Sequence, residues 1–393
     1  MKVCVDMGAS STRYLEAGEI EPGEFPNDYK IVPLDHRIRD KTSENQYENL
    51  DLTIERINVE DSQNLFNEED KNFPVRLMIG EMGRRDGGRM RQPHSGTPKH
   101  LQKINWYSAL TAVALKTLSR AETEIPKKET TVDLYLAFPP AEVLKEGFRD
   151  FIEEVLLGDF RVTFHTLNRK VEMTINSVTA KEESLLAVAA YLSNLDGTLT
   201  ERGEEFAQGR TTVLSIDIGA STTNLSLVKA NSNRESGSYT ISIGGNQVRN
   251  RLGKHITAAH AFTPTDETLA DAAKTGFVEN GKDMVDVSKE LIKAKQEVAD
   301  SLEYEIQKYF ESVDGLNSSA VQIALVSGGG SMPSTYKGEQ TTEPLAVYLR
   351  QVMDENPAWN TDVDFFSEKS EIYPRYANLM GLKLTAMRDS RRG

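Results

Sequence analysis

The chain has 393 residues, 38% of them hydrophobic and 27% charged, a globular composition with room for two or three domains. Its 46 basic and 60 acidic residues leave a formal charge of −14, which argues against broad binding to DNA or anionic membranes. The longest clean apolar run, 185–192, has eight residues, against about 20 for a bilayer span, and one cysteine, Cys4, excludes an internal disulfide or a cysteine-based metal cluster. Asp6 cuts the apolar start Val3-Cys4-Val5, so no signal peptide is expected, and the expected compartment is a reducing cytoplasm.

In chain order, a β-branched run predicts a strand over 2–6. The acid-rich stretch 40–70 and the Gly/Pro-rich stretch 84–103 read as surface insertions. The second carries Arg84, Arg85, Arg89, Arg91, Lys99 and Lys103 against Asp86, and is either solvated surface or a basic contact. A helix follows over 106–121, with Trp106 and Tyr107 as core. Then come a strand (131–138), a helix (142–157), strands (161–167 and 171–178), a helix (181–195) and a linker-like polar segment (196–208). Strands are predicted over 213–218, 225–229, 239–243 and 321–326. Between the last two lies a long helix over 287–313, where Leu291, Val298, Leu302, Ile306, Phe310 and Val313 recur near the helical period. The tail 388–393 is expected to fray. Strands alternating with helices mean an α/β protein.

An internal echo organises the chain. Val5-Asp6-Met7-Gly8-Ala9-Ser10-Ser11-Thr12-Arg13 returns, 211 residues later, as Ile216-Asp217-Ile218-Gly219-Ala220-Ser221-Thr222-Thr223-Asn224. Each copy follows an apolar strand and precedes a second β-rich run, so each predicts a hairpin with a turn of small and hydroxyl residues. Small side chains let backbone N–H groups approach an anion closely. An Asp at the strand end repels a bare phosphate but holds a hydrated Mg²⁺ that neutralises phosphate oxygens. Two such hairpins facing each other would clamp a polyphosphate. A third Gly-rich turn, Ser327-Gly328-Gly329-Gly330-Ser331, follows the apolar run Ile323-Ala324-Leu325-Val326 and permits close approach by something flat or charged. Neither G-x-x-x-x-G-K-[ST] nor G-x-G-x-x-G occurs, so P-loop and Rossmann readings lack their fingerprints.

These residues resemble the actin-like ATPase superfamily of actins, sugar kinases and heat-shock chaperone ATPase domains. The first hairpin is similar to its phosphate-1 motif, the second to phosphate-2, and 326–336 to its adenosine motif. Residues 178–187 resemble the connect-1 helix and 376–382 resemble connect-2. Ile243-Gly244-Gly245-Asn246, followed by Arg251-Leu252, resembles the start of the small subdomain of the second half. Size, acidity, the Leu136-Ala137-Phe138-Pro139-Pro140 strand end and the polar insertions look most like bacterial plasmid-segregation actins of the ParM type. Ala220-Ser221 and Asn224 depart from the chaperone pattern, which has glycines and an acid there.

The resemblance implies a duplicated, ribonuclease H-like α/β fold with two lobes around a nucleotide cleft. Domain I would span 1–208 plus 375–393, with a small subdomain inserted near 33–125. Domain II would span 209–374, with an insertion near 246–315. It implies ATP or GTP with Mg²⁺ as cofactors, Asp6 and Asp217 holding the metal through water, and phosphate contacts from Gly8, Ala9, Ser10, Ser11, Thr12, Gly219, Ala220, Ser221 and Thr222. Arg13 stands where actins carry a phosphate-contacting lysine; it otherwise reads as an exposed strand cation. Gly328, Gly329, Gly330 and Ser331 would face the purine, with Glu290 and Lys293 as polar contacts or as an i,i+3 surface pair. For the water-orienting role Glu182 and Glu183 compete: Thr179-x-x-Glu182 reads as a capping box, and Glu183 aligns with the connect-1 glutamate and is preferred. The implied partners are further copies of the chain in a head-to-tail filament and a small basic DNA-binding adaptor, with no direct nucleic-acid or membrane binding. A metabolite kinase and a nucleotide-sensing binding protein are the alternatives on the same scaffold.

Overall fold

The computed structural model describes residues 1–8, 11–27, 29–34, 49–57, 73–80, 98–123, 130–230, 238–312, 320–356, 359, 361–365 and 374–392. The chain divides into two compact units, Met1–Glu182 with Leu382–Gly393, and Glu183–Gly381. The family resemblance implies a division near 208 and 374.

The first unit holds β1 (Lys2–Met7), β2 (Ser11–Glu16), β3 (Gly23–Pro26), β4 (Tyr29–Val32), β5 (Leu50–Ile57), β6 (Val75–Ile79), α1 (Lys103–Thr123), β7 (Thr130–Phe138), α2 (Pro140–Val143), α3 (Phe148–Leu156), β8 (Gly158–Phe164) and β9 (Arg169–Glu182). Its described strands form one sheet in the order β3-β2-β1-β7-β9-β8-β5-β6-β4. α1 packs across β1, β2 and β9, and Trp106 and Tyr107 are core residues, as expected. In β9, buried Val171, Met173 and Ile175 alternate with the more open Glu172, Thr174 and Asn176, the period-two signature of a strand with one face in the core.

The second unit holds α4 (Glu183–Tyr191), α5 (Glu201–Ala207), β10 (Thr212–Ile218), β11 (Thr223–Lys229), β12 (Ser238–Ile241), α6 (Gly245–His260), α7 (Asp266–Thr275), β13 (Phe277–Asn280), β14 (Asp283–Asp286), α8 (Ser288–Ser312), β15 (Ile323–Ser327), β16 (Ser334–Tyr336), β17 (Glu339–Thr342), α9 (Leu345–Glu355) and β18 (Asp362–Phe365). α10 (Ala377–Arg392) begins here and runs past the division. The main sheet has the order β12-β11-β10-β15-β18, with β13–β14 and β16–β17 as separate hairpins. β10 and β15 are buried along their whole length, so they read as nearly unbroken apolar runs. α8 buries Leu291, Val298, Leu302, Ile306 and Phe310 against α6 and α9.

Both units repeat one strand plan. A hairpin (β1–β2 or β10–β11) gains a third antiparallel strand (β3 or β12) on one side and two parallel strands (β7 and β9, or β15 and β18) on the other. The echo in sequence is therefore an echo in topology, and the duplicated α/β architecture expected from the motifs is the one observed.

Several local expectations need correction. The acid-rich stretch 40–70 contains β5, whose Leu50, Leu52 and Ile54 are fully buried between β6 and β8; its alternation is masked by acidic flanks. Residues 142–157 form two helices rather than one, because Gly147 takes a left-handed φ of 74° before α3. The linker-like segment 196–208 contains α5, whose Gly203 amide donates to the Thr200 hydroxyl at 3.1 Å. Thr179 caps no helix: it lies inside β9 opposite Tyr135, and Glu182 ends that strand opposite Phe138.

Candidate functional site

The first hairpin places Asp6 at the end of β1, buried and opposite Arg13 of β2. Arg13 is not an exposed strand cation. It is buried, with Nη1 3.2 Å from Asp6 Oδ2 and Nε 3.5 Å from Glu24 Oε1. The Ser11 hydroxyl donates to Glu24 Oε1 at 2.5 Å, and Thr12 donates to Asn27 Oδ1 at 2.7 Å. Asn27 Nδ2 in turn donates to the Gly8 carbonyl, tying both ends of the turn to one side chain. Ala9 and Ser10 lie outside the described residues.

A second cation stands beside Asp6. Lys99 Nζ is 3.9 Å from Asp6 Oδ1 and donates to the Ala137 carbonyl at 2.9 Å. Glu142 fixes this position by accepting from the Lys99 amide (2.6 Å), the His100 amide (2.8 Å) and His100 Nδ1 (2.6 Å). The end of the basic stretch 84–103 is thus built into the first unit rather than solvated, while residues 84–97 lie outside the described residues. Lys99, Glu142 and Asn27 carry no motif signal; the Pro-Pro before Glu142 was the one local cue that a helix begins there.

The second hairpin is packed more tightly. Asp217 is buried opposite Asn224. The Gly219 amide donates to the Thr222 carbonyl at 2.8 Å, closing the turn. The turn then receives the start of α6: the Gly245 amide donates to the Gly219 carbonyl (2.9 Å), and the Asn246 amide to that of Ala220 (2.7 Å). Asn246 Nδ2 reaches Ser221 Oγ at 3.2 Å. The third Gly-rich turn seats on the same hairpin. A Cβ on Gly330 would lie 2.6 Å from the Gly219 carbonyl oxygen, and one on Gly244 would lie 2.8 Å from the same atom. Gly328 adopts φ +90°, where a side chain would strike Asp217 Oδ1 and the Ile218 carbonyl. Ser331 is buried and donates to the Gly328 carbonyl at 2.8 Å. Gly219, Gly244, Gly245, Gly328 and Gly330 therefore meet in a cluster, three of whose positions (244, 328 and 330) only glycine fits.

Asp217 Oδ2 accepts from Asn378 Nδ2 at 3.3 Å, and Ser327 Oγ lies 3.5 Å from Oδ1. The other end of that amide, Asn378 Oδ1, is buried with no hydrogen-bond partner. A buried acceptor beside a carboxylate is the hard-oxygen environment that suits a water of a hydrated Mg²⁺. Among the described residues no three His, Cys, Asp or Glu side chains cluster as a metal site. A metal here would keep its waters and lean on one or two carboxylates, as Mg²⁺ does and Zn²⁺ does not. Asp6, with Arg13 and Lys99 around it, already has positive charge at hand.

Glu183 opens α4, is buried, and accepts from Asn224 Nδ2 at 3.3 Å. Glu182, its competitor, belongs to β9. On α8, Glu290 Oε1 lies 3.4 Å from His260 Nε2, and Lys293 is exposed; the i,i+3 pair between them is not formed.

Residues 215–335 match the family model described as archaeal actin homologue MreB-like, C-terminal. No curated protein matches the chain by sequence. Among solved structures, the actin-like protein Alp7A superposes with a TM-score of 0.69 at 16% identity, over 100% of this chain and 97% of that one. This chain has the actin-like fold. A 15-stranded ParM filament from Clostridium botulinum gives 0.67 at 15% identity, covering 98% and 99% of the two chains. Bacillus thuringiensis ParM with AMPPNP gives 0.63 at 18% identity, covering 98% of each. The family model begins within β10 and ends in β16, so the actin-like match in sequence takes in the second hairpin and the glycine cluster.

Proposed function

We propose that this chain is an actin-like nucleotide triphosphatase that polymerises on binding Mg-ATP or Mg-GTP and loosens its filament on hydrolysis. The observation that carries the reading is the glycine cluster of the second unit, with Asp217 and the orphaned Asn378 carbonyl at its edge. Backbone packed this closely without Cβ atoms suits a polyphosphate and a purine. The reading assigns Asp6 and Asp217 to Mg-nucleotide binding. It assigns Ser221 and Thr222, with the turn amides, to phosphate contacts, and Gly328–Ser331 to the base; the Ser11 and Thr12 hydroxyls expected there are instead buried and donate to Glu24 and Asn27.

The chemistry is attack of water on the terminal phosphate, where positioning and charge neutralisation do most of the work. Bound Mg²⁺ supplies charge neutralisation at the phosphate oxygens. Glu183 orients the attacking water. Glu183→Ala is expected to lower hydrolysis roughly 10²–10⁴-fold while nucleotide binding persists; an unchanged single-turnover rate of phosphate release overturns that assignment.

The solved relatives support self-assembly, since one of them is a ParM filament, and another was solved with AMPPNP. Filament-driven movement of plasmid DNA through a small basic adaptor is the cellular role this reading favours. No described helix is long and apolar enough to cross a membrane. Sedimentation and electron microscopy with Mg-ATP, with Mg-GTP and without nucleotide test the proposal. Filaments only with triphosphate support it. Substrate-dependent ADP release without pelleting points to a metabolite kinase instead, and binding with neither points to a nucleotide sensor.

A further inference from the structure

We infer that Asn224, pinned by Thr240, is a positioning residue that aims the Glu183 carboxylate; this rests on the reading of Glu183 as the water-orienting group. Two rungs of side chains fasten the start of α4 to the sheet. In the first, the Thr240 hydroxyl of β12 donates to Asn224 Oδ1 of β11 at 2.9 Å, and Asn224 Nδ2 donates to Glu183 Oε2 at 3.3 Å. In the second, the hydroxyls of Ser238 and Ser226 meet at 3.0 Å, and those of Ser226 and Ser184 at 2.6 Å. Residues 224 and 226 pair with 240 and 238 in register, so both rungs lie on one face of β11–β12, two residues apart.

The rungs differ in what they can do. A hydroxyl rotates and both donates and accepts, so the Ser238–Ser226–Ser184 rung fastens without orienting. An amide has two unlike ends. Ionised Glu183 only accepts, so the nitrogen end of Asn224 must face it and the carbonyl end must face outward. Glu183 itself disfavours the flipped alternative, in which the Asn224 oxygen would repel it, and Thr240, by donating to the Asn224 carbonyl, holds the amide plane in place. Asn224 is 5% exposed and Glu183 is buried, so water does not freely replace the contact between them, while Thr240 holds Asn224 from the exposed strand β12. The same register position in the first hairpin is Arg13, which turns to Asp6 instead. The second hairpin thus uses the residue seven after its aspartate to serve the glutamate that opens α4, an element earlier in the chain.

Mg-ATP hydrolysis by the full chain tests this with seven variants: Glu183→Ala, Asn224→Ala, Asn224→Ala with Glu183→Ala, Thr240→Val, Thr240→Ser, Ser226→Ala, and Ser226→Ala with Glu183→Ala. Asn224→Ala should lower kcat about 10–100-fold, the size of outer-sphere support, with nucleotide Kd within about twofold. Thr240→Val should lose about tenfold and Thr240→Ser should recover most of it. The decisive result is non-additivity: Asn224→Ala should slow Glu183→Ala no further, because the residue it positions is gone. Ser226→Ala should lower the melting temperature and combine additively with Glu183→Ala. An unchanged kcat in Asn224→Ala, or additive losses in the double variant, overturns the inference while leaving the Glu183 reading intact. Full activity in Glu183→Ala removes that reading and this inference with it.

Discussion

Arg13 and Asn224 hold the same position in two copies of one hairpin, each seven residues after an aspartate and directly opposite it across the ladder. The first returns to its aspartate as an ion pair at 3.2 Å; the second turns away to Glu183. One duplicated turn has thereby divided into a charge-compensated copy and a copy whose aspartate is left to hydrogen-bonding amide and hydroxyl groups. Arg13→Met is expected to destabilise the first unit by about 1.5–3 kcal/mol, the worth of a hydrogen bond to a charged group. Lys99 remains near Asp6 and limits the loss. Chemical denaturation with a probe in the first unit checks it, and a loss below the lower bound would show that the pair carries little.

A stricter case is Asp51 with Arg76. Asp51 is fully buried, and Arg76 grips it with two bonds, Nε to Oδ1 at 2.9 Å and Nη2 to Oδ2 at 2.7 Å. Arg76→Met strands a carboxylate inside the sheet and should cost about 3–5 kcal/mol. Replacing both partners by apolar residues should recover much of that. Urea melts of the single and double variants decide the point; equal losses from both would contradict it.

Glycine substitutions separate packing from backbone strain. Gly328 and Gly338 have φ of +90° and +85°, but Gly328 faces Asp217 and the Ile218 carbonyl, whereas nothing lies within 4 Å of a Cβ at Gly338. Gly338→Ala should cost about 1–2 kcal/mol, the left-handed penalty alone. Gly328→Ala should cost more and also abolish nucleotide binding, measured by isothermal titration. Retained binding in Gly328→Ala would mean that the turn has room that the structure does not show.

Lys295 gives the second unit a pH dependence. It is buried, with Nζ donating to Thr342 Oγ1 and the Glu343 carbonyl, each at 2.7 Å, and to Ser334 Oγ at 3.2 Å. Burial pushes its pKa down from 10.5 to about 7, against a smaller opposing effect of Glu343. Because the folded value lies below the unfolded one, the unfolded chain binds the extra proton between about pH 7 and 10, and stability rises with pH there. The gain from pH 7 to 8.5 should be on the order of 1–2 kcal/mol and vanish in Lys295→Met. The window stops short of the range where Cys4, raised by burial from 9.0 to about 12, works in the opposite direction. A flat profile for the unsubstituted chain would refute this.

The strands and the paired hairpins were legible because they are short-range patterns: an apolar run, then Asp, a small-residue turn and hydroxyls. β5 was hidden because three apolar residues alternate with the polar Asp51 and Thr53 inside an acidic stretch, so composition spoke louder than period. The supporting cast was illegible for a different reason. Asn27, Lys99, Glu142, Thr240 and Asn378 are common residue types whose partners lie 19, 38 to 93, 42 to 43, 16 and 161 residues away. No local window holds such pairs, and only folding brings them together. Asn378 is the partial exception, since it sits inside the stretch that resembles connect-2.

The repeated strand plan also sets an order of events at the ribosome. Lys2–Met7 can close its hairpin with Ser11–Glu16 as soon as both emerge, but its parallel neighbour Thr130–Phe138 is more than a hundred residues behind. Through that interval of synthesis the N-terminal ribbon must wait with one edge unsatisfied, exposed to mispairing with other nascent chains.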